Sequence, residues 1–143
     1  MADNEYREYY QKYCLELKEL LQYLKKEQYQ TVLWGAGLKG RGFLEVCDPG
    51  GEYINFVLDR DRDKHGKVLS EGHIVKGLEE ITDDMVILVA NENYYVSICF
   101  DLLNRGYDAE RMRLVCLDHF ISGGFTLGDV RTGKIWKRRR YYD

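Results

Sequence analysis

Gly35-Ala36-Gly37-Leu38-Lys39-Gly40 is the stretch of this 143-residue chain best suited to chemistry on a charged small molecule. Its G-x-G-x-x-G spacing follows a compact apolar run at residues 31–34 and opens a stretch with helical periodicity. Each glycine then has a physical task. Gly35 permits a tight turn, Gly37 lets a phosphate approach bare backbone, and Gly40 lets helix and strand pack closely. Amides at a helix start lack intrahelical partners and carry partial positive charge, and Lys39 adds a cation. Asp59 ends a second apolar run 19 residues beyond Gly40, where a carboxylate accepts hydrogen bonds from ribose hydroxyls. A carboxylate there disfavours a 2′-phosphate and so favours NAD-like or uridine/thymidine-type ligands over NADP. Arg60 beside it is suited to offset that charge or to lie flat on a base.

Other residues admit two readings each. Asn91 or Asn93, just beyond the apolar run 85–90, suits a ribose or base contact, or a helix N-cap. Tyr94 has a ring to stack on a base. Arg60, Lys64, His65 and Lys67 form either a grip on a diphosphate or a solvated loop of alternating charge. Asp118-His119 is either an acid–base pair or a polar loop. His65 and His73 with Asp61 or Asp63 match no recognised metal-ligand spacing, and no metal is assigned. The sequence has no GxSxG, GxxxxGK[ST] or HExxH, and no Tyr-x-x-x-Lys dyad, since Ile98 and Cys99 stand four residues beyond Tyr94 and Tyr95. Catalytic residues are therefore left unassigned.

These residues need elements to hold them. Residues 3–28 carry Tyr6, Tyr9, Tyr10, Tyr13, Leu17, Leu20, Leu21 and Leu24 at spacings of three and four, which predicts one amphipathic helix N-capped by Asp3 or Asn4. Its tyrosines suit a partly wet contact, within the domain or with a second subunit. Beyond it, apolar runs at 31–34, 54–59, 85–90 and 113–118 alternate with helical stretches at 38–47 and 91–105. An edge strand is expected at 73–75 and a short helix at 78–81. The alternation predicts an α/β fold, a Rossmann-like doubly wound parallel sheet of four to five strands. The chain divides into a helix (1–30), a nucleotide-binding domain (31–120) and a basic tail (121–143), with a hairpin or a mobile arm across 125–136.

Composition sets the outer bounds. Hydrophobic residues make up 45% and charged residues 31%, as in a folded domain. No apolar run approaches the length of a membrane span, and the polar, acidic start is no secretory signal, so a cytoplasmic protein with no membrane partner is expected. Cys14, Cys47, Cys99 and Cys116 lack metal-like spacing and read as reduced, small apolar residues. The net charge of −3 hides a tail, residues 129–143, carrying +4, so the body before it carries −7. An acidic body is poorly suited to bind nucleic acid.

The run WGAGLKGRGFLEVC…YINFVLDRDRDKHGKVLSEGHIV, residues 34–75, resembles the C-terminal domain of nucleotide-sugar C-methyltransferases, with Gly35-Ala36, Lys39-Gly40, Asp59-Arg60, Lys64 and Gly66-Lys67 among the shared positions. Residues 85–90 and 113–117 continue the likeness. Nucleotide-binding halves of polysaccharide dehydratases and sugar N-acyltransferases, and NADH-sensing repressors, look similar. The resemblance implies a Rossmann-like unit that helps form a nucleotide-sugar site. In the methyltransferases, catalysis and S-adenosylmethionine binding belong largely to a preceding domain with a Cys-rich zinc motif. Here only a 30-residue helix precedes the glycine turn. The expected function is thus a stand-alone module for a nucleotide-sugar or NAD, less so S-adenosylmethionine, working with a catalytic partner protein in glycan biosynthesis. Two alternatives stay open: a small NAD- or S-adenosylmethionine-dependent enzyme using Asp118 or His119, and an interaction domain, or homo-oligomer, built on the Tyr-rich helix.

Overall fold

The computed structural model describes residues 2–70, 72–107 and 112–123. Its strands are β1 (Thr31–Trp34), β2 (Phe56–Leu58), β3 (Val68–Leu69), β4 (His73–Lys76), β5 (Val86–Val89) and β6 (Arg113–Cys116). They form one sheet in the order β3-β4-β2-β1-β5-β6, with every pair parallel except β3–β4. Every residue of β1, β2 and β5 is buried. Strands covered on both faces have no polar side to show, so these runs lack alternation. Without its antiparallel β3, the sheet follows the Rossmann order, in which the chain reverses direction at β1 and leaves a crevice between β1 and β5.

Helices α1 (Ala2–Lys12), α2 (Cys14–Lys26), α3 (Leu38–Cys47), α4 (Tyr95–Asn104) and α5 (Leu117–Ile121) cover the sheet. On one face, Tyr10 of α1, Leu17, Leu20, Leu21 and Leu24 of α2, and Phe43 and Leu44 of α3 pack with Leu33, Val57 and Leu88. On the other, Ile98 and Leu102 of α4 and Leu78 meet Trp34, Ile87 and Leu114. Each of these large side chains contributes about 1.5–3 kcal/mol by leaving water. Right-handed crossovers in opposite directions from β1 and β5 place α3 and α4 on opposite faces.

Several expectations need correction. The single helix over 3–28 is two helices, broken at Tyr13 (φ −112°, ψ 18°). Its apolar stripe continues through the break because periodicity records which residues face inward, not the direction of the axis. The first helix begins at Ala2, so Asp3 and Asn4 lie inside its first turn rather than capping it. Among the described residues the sheet has six strands, against the four to five or so expected, because the two-residue β3 is too short to show a period. It also displaces β4 from the edge. Residues 91–105 open with a 3₁₀ turn, Glu92–Tyr94, before α4, and the last strand stops at Cys116 while Leu117 and Asp118 enter α5. The predicted hairpin or arm at 125–136 and the basic run 129–143 lie outside the described residues.

One buried polar pair pins the β4 side of the sheet. Asp48, at the end of α3, accepts backbone N–H bonds from Glu52, Tyr53 and Ile54 and is 2.9 Å from Nε2 of His73. His73 is fully buried and Asp48 nearly so. Burial alone would raise the Asp48 carboxyl, but the His73 hydrogen bond and the three amides together hold it below the usual carboxylate range.

Candidate functional site

A cavity of about 430 Å³ opens where β1, β2 and β5 end. This is the crevice at the carboxyl edge of the sheet, beside the reversal point, where open α/β sheets take their ligands. Its wall is built from the glycine turn (Gly35, Gly37, Leu38, Lys39, Gly40), from Asp59, Arg60 and Lys64 after β2, and from Asn91 and Tyr94 after β5. Of the residues singled out from sequence, Ala36, His65, Lys67, Asn93, Asp118 and His119 are not on its wall. The Ala36 side chain is buried and its N–H donates to Oδ2 of Asp59 at 2.9 Å.

The three glycines answer to different constraints. Gly35 has φ +128°, a conformation that side chains rarely adopt. At Gly40 a Cβ would stand 2.0 Å from the Gly35 carbonyl oxygen, so this glycine serves close packing of α3 on β1. Gly37 has ordinary backbone angles (φ −80°, ψ −170°), and a Cβ there would meet no atom within 4 Å. Among the described residues no contact requires glycine at this position, the N-cap of α3, which faces the cavity. The first hydrogen bond at this end of α3 runs from Arg41 N–H to the Gly37 carbonyl. The amides ahead of it are the ones a helix leaves for an outside acceptor.

The charged groups are largely paired. Lys39 Nζ lies 2.6 Å from Asp118 Oδ2, and both side chains are well shielded. Asp118 also accepts from Tyr9 Oη at 3.0 Å and from Glu92 N–H at 3.1 Å. With three donors on its two oxygens, Asp118 ties α1, α3, α5 and the turn before α4 together behind the cavity. Burial, then the Asp118 carboxylate, pushes the Tyr9 hydroxyl well above its ordinary pKa, so Tyr9 stays a neutral donor. His119 points away, half-exposed and 3.6 Å from Glu92. The Asp118-His119 neighbours therefore do not form a hydrogen-bonded acid–base couple.

Asp59 is similarly engaged, accepting from Asp61 N–H at 2.8 Å as well as from Ala36, with Lys64 Nζ 3.9 Å away. Its carboxylate, expected to hold ribose, also fixes this loop through the Ala36 and Asp61 amides. Arg60 lies over the Trp34 ring at 5.5 Å and ties the end of β2 to α4 through Asp101 (3.0 Å) and the Ser97 carbonyl (3.2 Å). Asp101 is shared with Arg105, and of this trio Arg60 alone lines the cavity. Asn91 caps the turn before α4 by accepting from Asn93 N–H at 3.0 Å, while Tyr94 remains 59% exposed on the cavity wall.

His65 Nε2 is 2.8 Å from the Asp59 carbonyl oxygen, and His73 belongs to the buried Asp48 pair. The two histidines are built into separate structural contacts. Sequence reasoning missed Tyr6, which reaches the cavity wall from α1. It gets there because α1 crosses α3 at Gly42, where a Cβ would come within 2.8 Å of the Tyr6 Cβ. The signal was that second small residue, Gly42, one turn into α3. No local pattern links it to a tyrosine 36 positions earlier.

Among the described residues, no helix is long and apolar enough to cross a membrane. Among curated proteins nothing matches the chain. The C-methyltransferase C-terminal domain family matches residues 3–96, a span that holds the glycine turn, Asp59, Arg60, Asn91 and Tyr94. That match covers more than half of the sequence and agrees with the likeness drawn from residues 34–75: this chain belongs to the C-methyltransferase C-terminal domain family.

Proposed function

We propose that this domain binds a nucleotide-bearing anion, a nucleotide-sugar or an NAD-like dinucleotide, with its phosphates at the start of α3. It would serve glycan or deoxysugar biosynthesis beside a separate catalytic protein. The observation that carries this reading is Gly37: a side chain is missing where the fold has room for one, on the wall of the cavity. Packing accounts for Gly40 and backbone conformation for Gly35, whereas Gly37, the N-cap of α3, meets nothing among the described residues and leaves room for a close-approaching ligand. The helix-start amides of Leu38, Lys39 and Gly40, without a partner among the described residues, and a wall carrying Lys39, Arg60 and Lys64 against Asp59 favour an anion. S-adenosylmethionine, a sulfonium cation without phosphate, has less to gain from either. Tyr94 offers a face for a base, and Asp59, with one amide on each oxygen, keeps lone pairs for a ribose hydroxyl.

A thermal-shift panel of UDP-sugar, dTDP-sugar, NAD, NADP and S-adenosylmethionine tests the reading. A true ligand at 100 times its dissociation constant stabilises the fold by about 2.7 kcal/mol. At least one of the first three should do so, and Gly37→Val should remove the effect while staying folded, its unliganded melting point only a few degrees below the parent's. Silence across the panel, or a shift that survives Gly37→Val, contradicts it.

A further inference from the structure

At the end of α3 that lies away from the cavity, the fold brings two cysteines together. Cys14 is the first residue of α2 and Cys47 the last of α3, and their thiols are in hydrogen-bonding contact. The break at Tyr13 makes that contact. Helix α1 crosses α3 at Gly42, Tyr10 sets its ring edge-on to Phe43 at 5.5 Å, and the chain then turns so that Cys14 reaches the end of α3. The two sulfurs differ in access: Cys47 is 1% exposed, whereas Cys14 is only partly covered. Burial, then the neighbouring Cys14, pushes the Cys47 thiol up, so Cys47 keeps its proton at neutral pH. Lys18, four residues beyond Cys14 and so on the same face of α2, sets a positive charge beside the pair. A buried cysteine kept only for its size needs neither a second sulfur against it nor a cation at its side.

We infer that Cys14 and Cys47 are a reversible redox site for hydrogen peroxide, in which Cys14 is oxidised first and Cys47 resolves it into an intramolecular disulfide. In the first step the Cys14 sulfur, as thiolate, attacks one peroxide oxygen. The O–O bond breaks, and the departing hydroxide takes up the proton that Cys14 released and leaves as water. Cys14 is then a sulfenic acid. In the second step the Cys47 sulfur attacks the Cys14 sulfur, the S–O bond breaks, and the Cys47 proton leaves with the hydroxide as a second water. Two thiols lose two electrons and two protons, and one peroxide becomes two waters. The proton that Cys47 retains departs with the leaving group, so its retention does not block the step. A thiol already in contact meets the sulfenic acid ahead of any dissolved one, and the sulfurs have only to close to the ~2.05 Å of an S–S bond. Helix α3 has ten residues, so the pair lies about 15 Å from the glycine turn and does not draw on the nucleotide reading.

Peptide mapping by mass spectrometry, without reductant, on the folded full chain after a modest molar excess of hydrogen peroxide tests the inference. The parent should yield the Cys14 and Cys47 peptides joined by a disulfide within one chain, and dithiothreitol should restore both thiols. Cys47→Ser should stop at the Cys14 sulfenic acid, trapped as its dimedone adduct. Cys14→Ser should slow oxidation of Cys47 by about tenfold or more, because susceptibility follows exposure and the buried thiol then has no accessible partner to resolve. Mapping of the parent needs no variant, so it decides the matter even where serine at buried position 47 harms folding. A parent whose Cys14 and Cys47 both remain thiols overturns the inference. So does a disulfide that joins Cys14 to Cys99, to Cys116 or to a second copy, and so does undiminished oxidation of Cys47 in Cys14→Ser.

Discussion

Gly37 and Gly40 stand three residues apart at one helix start and respond to opposite pressures. Gly40→Ala would drive a methyl into the Gly35 carbonyl, and we expect a loss of about 3 kcal/mol in urea denaturation. Gly37→Val meets no atom of the described residues, so it should cost only about 1 kcal/mol, the loss of a favourable N-cap, well below the cost at Gly40. The sequence pattern treats these glycines as equivalent members of one motif; only the distances separate the one that packs from the one that faces space. Asp59 carries the same lesson. Its place 19 residues after the motif was legible, but its bond to the Ala36 amide depends on how the loop folds back. Asp59→Ala should therefore loosen the glycine turn as well as any ribose contact, seen as faster amide exchange at Ala36.

At the scale of elements, the helices and strands that frame the cavity were readable because their apolar runs are either continuous or helical in period. The helix at 38–47 and the order of strand and helix emerge directly from that patterning. The break at Tyr13 and the two-residue β3 do not, since both are set by tertiary packing rather than by local periodicity. The crossing of α1 over α3 is a further case: Gly42→Ala should push Tyr6 away and cost about 1–3 kcal/mol, measured by thermal or urea unfolding. Asp118 joins four elements through Lys39, Tyr9 and Glu92. Replacing it with Ala strands a shielded ammonium and a tyrosine hydroxyl, and we expect a loss of about 2 kcal/mol. Its pairing with Lys39 across 79 positions left no trace in spacing, which is why Asp118 looked like a candidate catalyst.

Across the whole molecule, stability at acid pH should report the Asp48–His73 pair. The folded carboxyl is held below its ordinary value, so its contribution is present above the unfolded pKa near 3.8 and is lost as pH falls through the folded value. Urea-unfolding midpoints of the parent and Asp48→Asn, measured across pH, should therefore differ above about pH 4 and converge as pH falls below it. The central claim concerns the other end of the sheet: an anionic nucleotide sits at the start of α3. Amide chemical-shift mapping with UDP-sugar, dTDP-sugar and NAD tests that claim most directly. The account predicts that at least one of them produces saturable shifts centred on Gly37, Leu38, Lys39 and Gly40, extending to Asn91 and Tyr94. Shifts confined elsewhere on the molecule, or none with any of the three at millimolar ligand, on the order of the weakest specific binding, would contradict it.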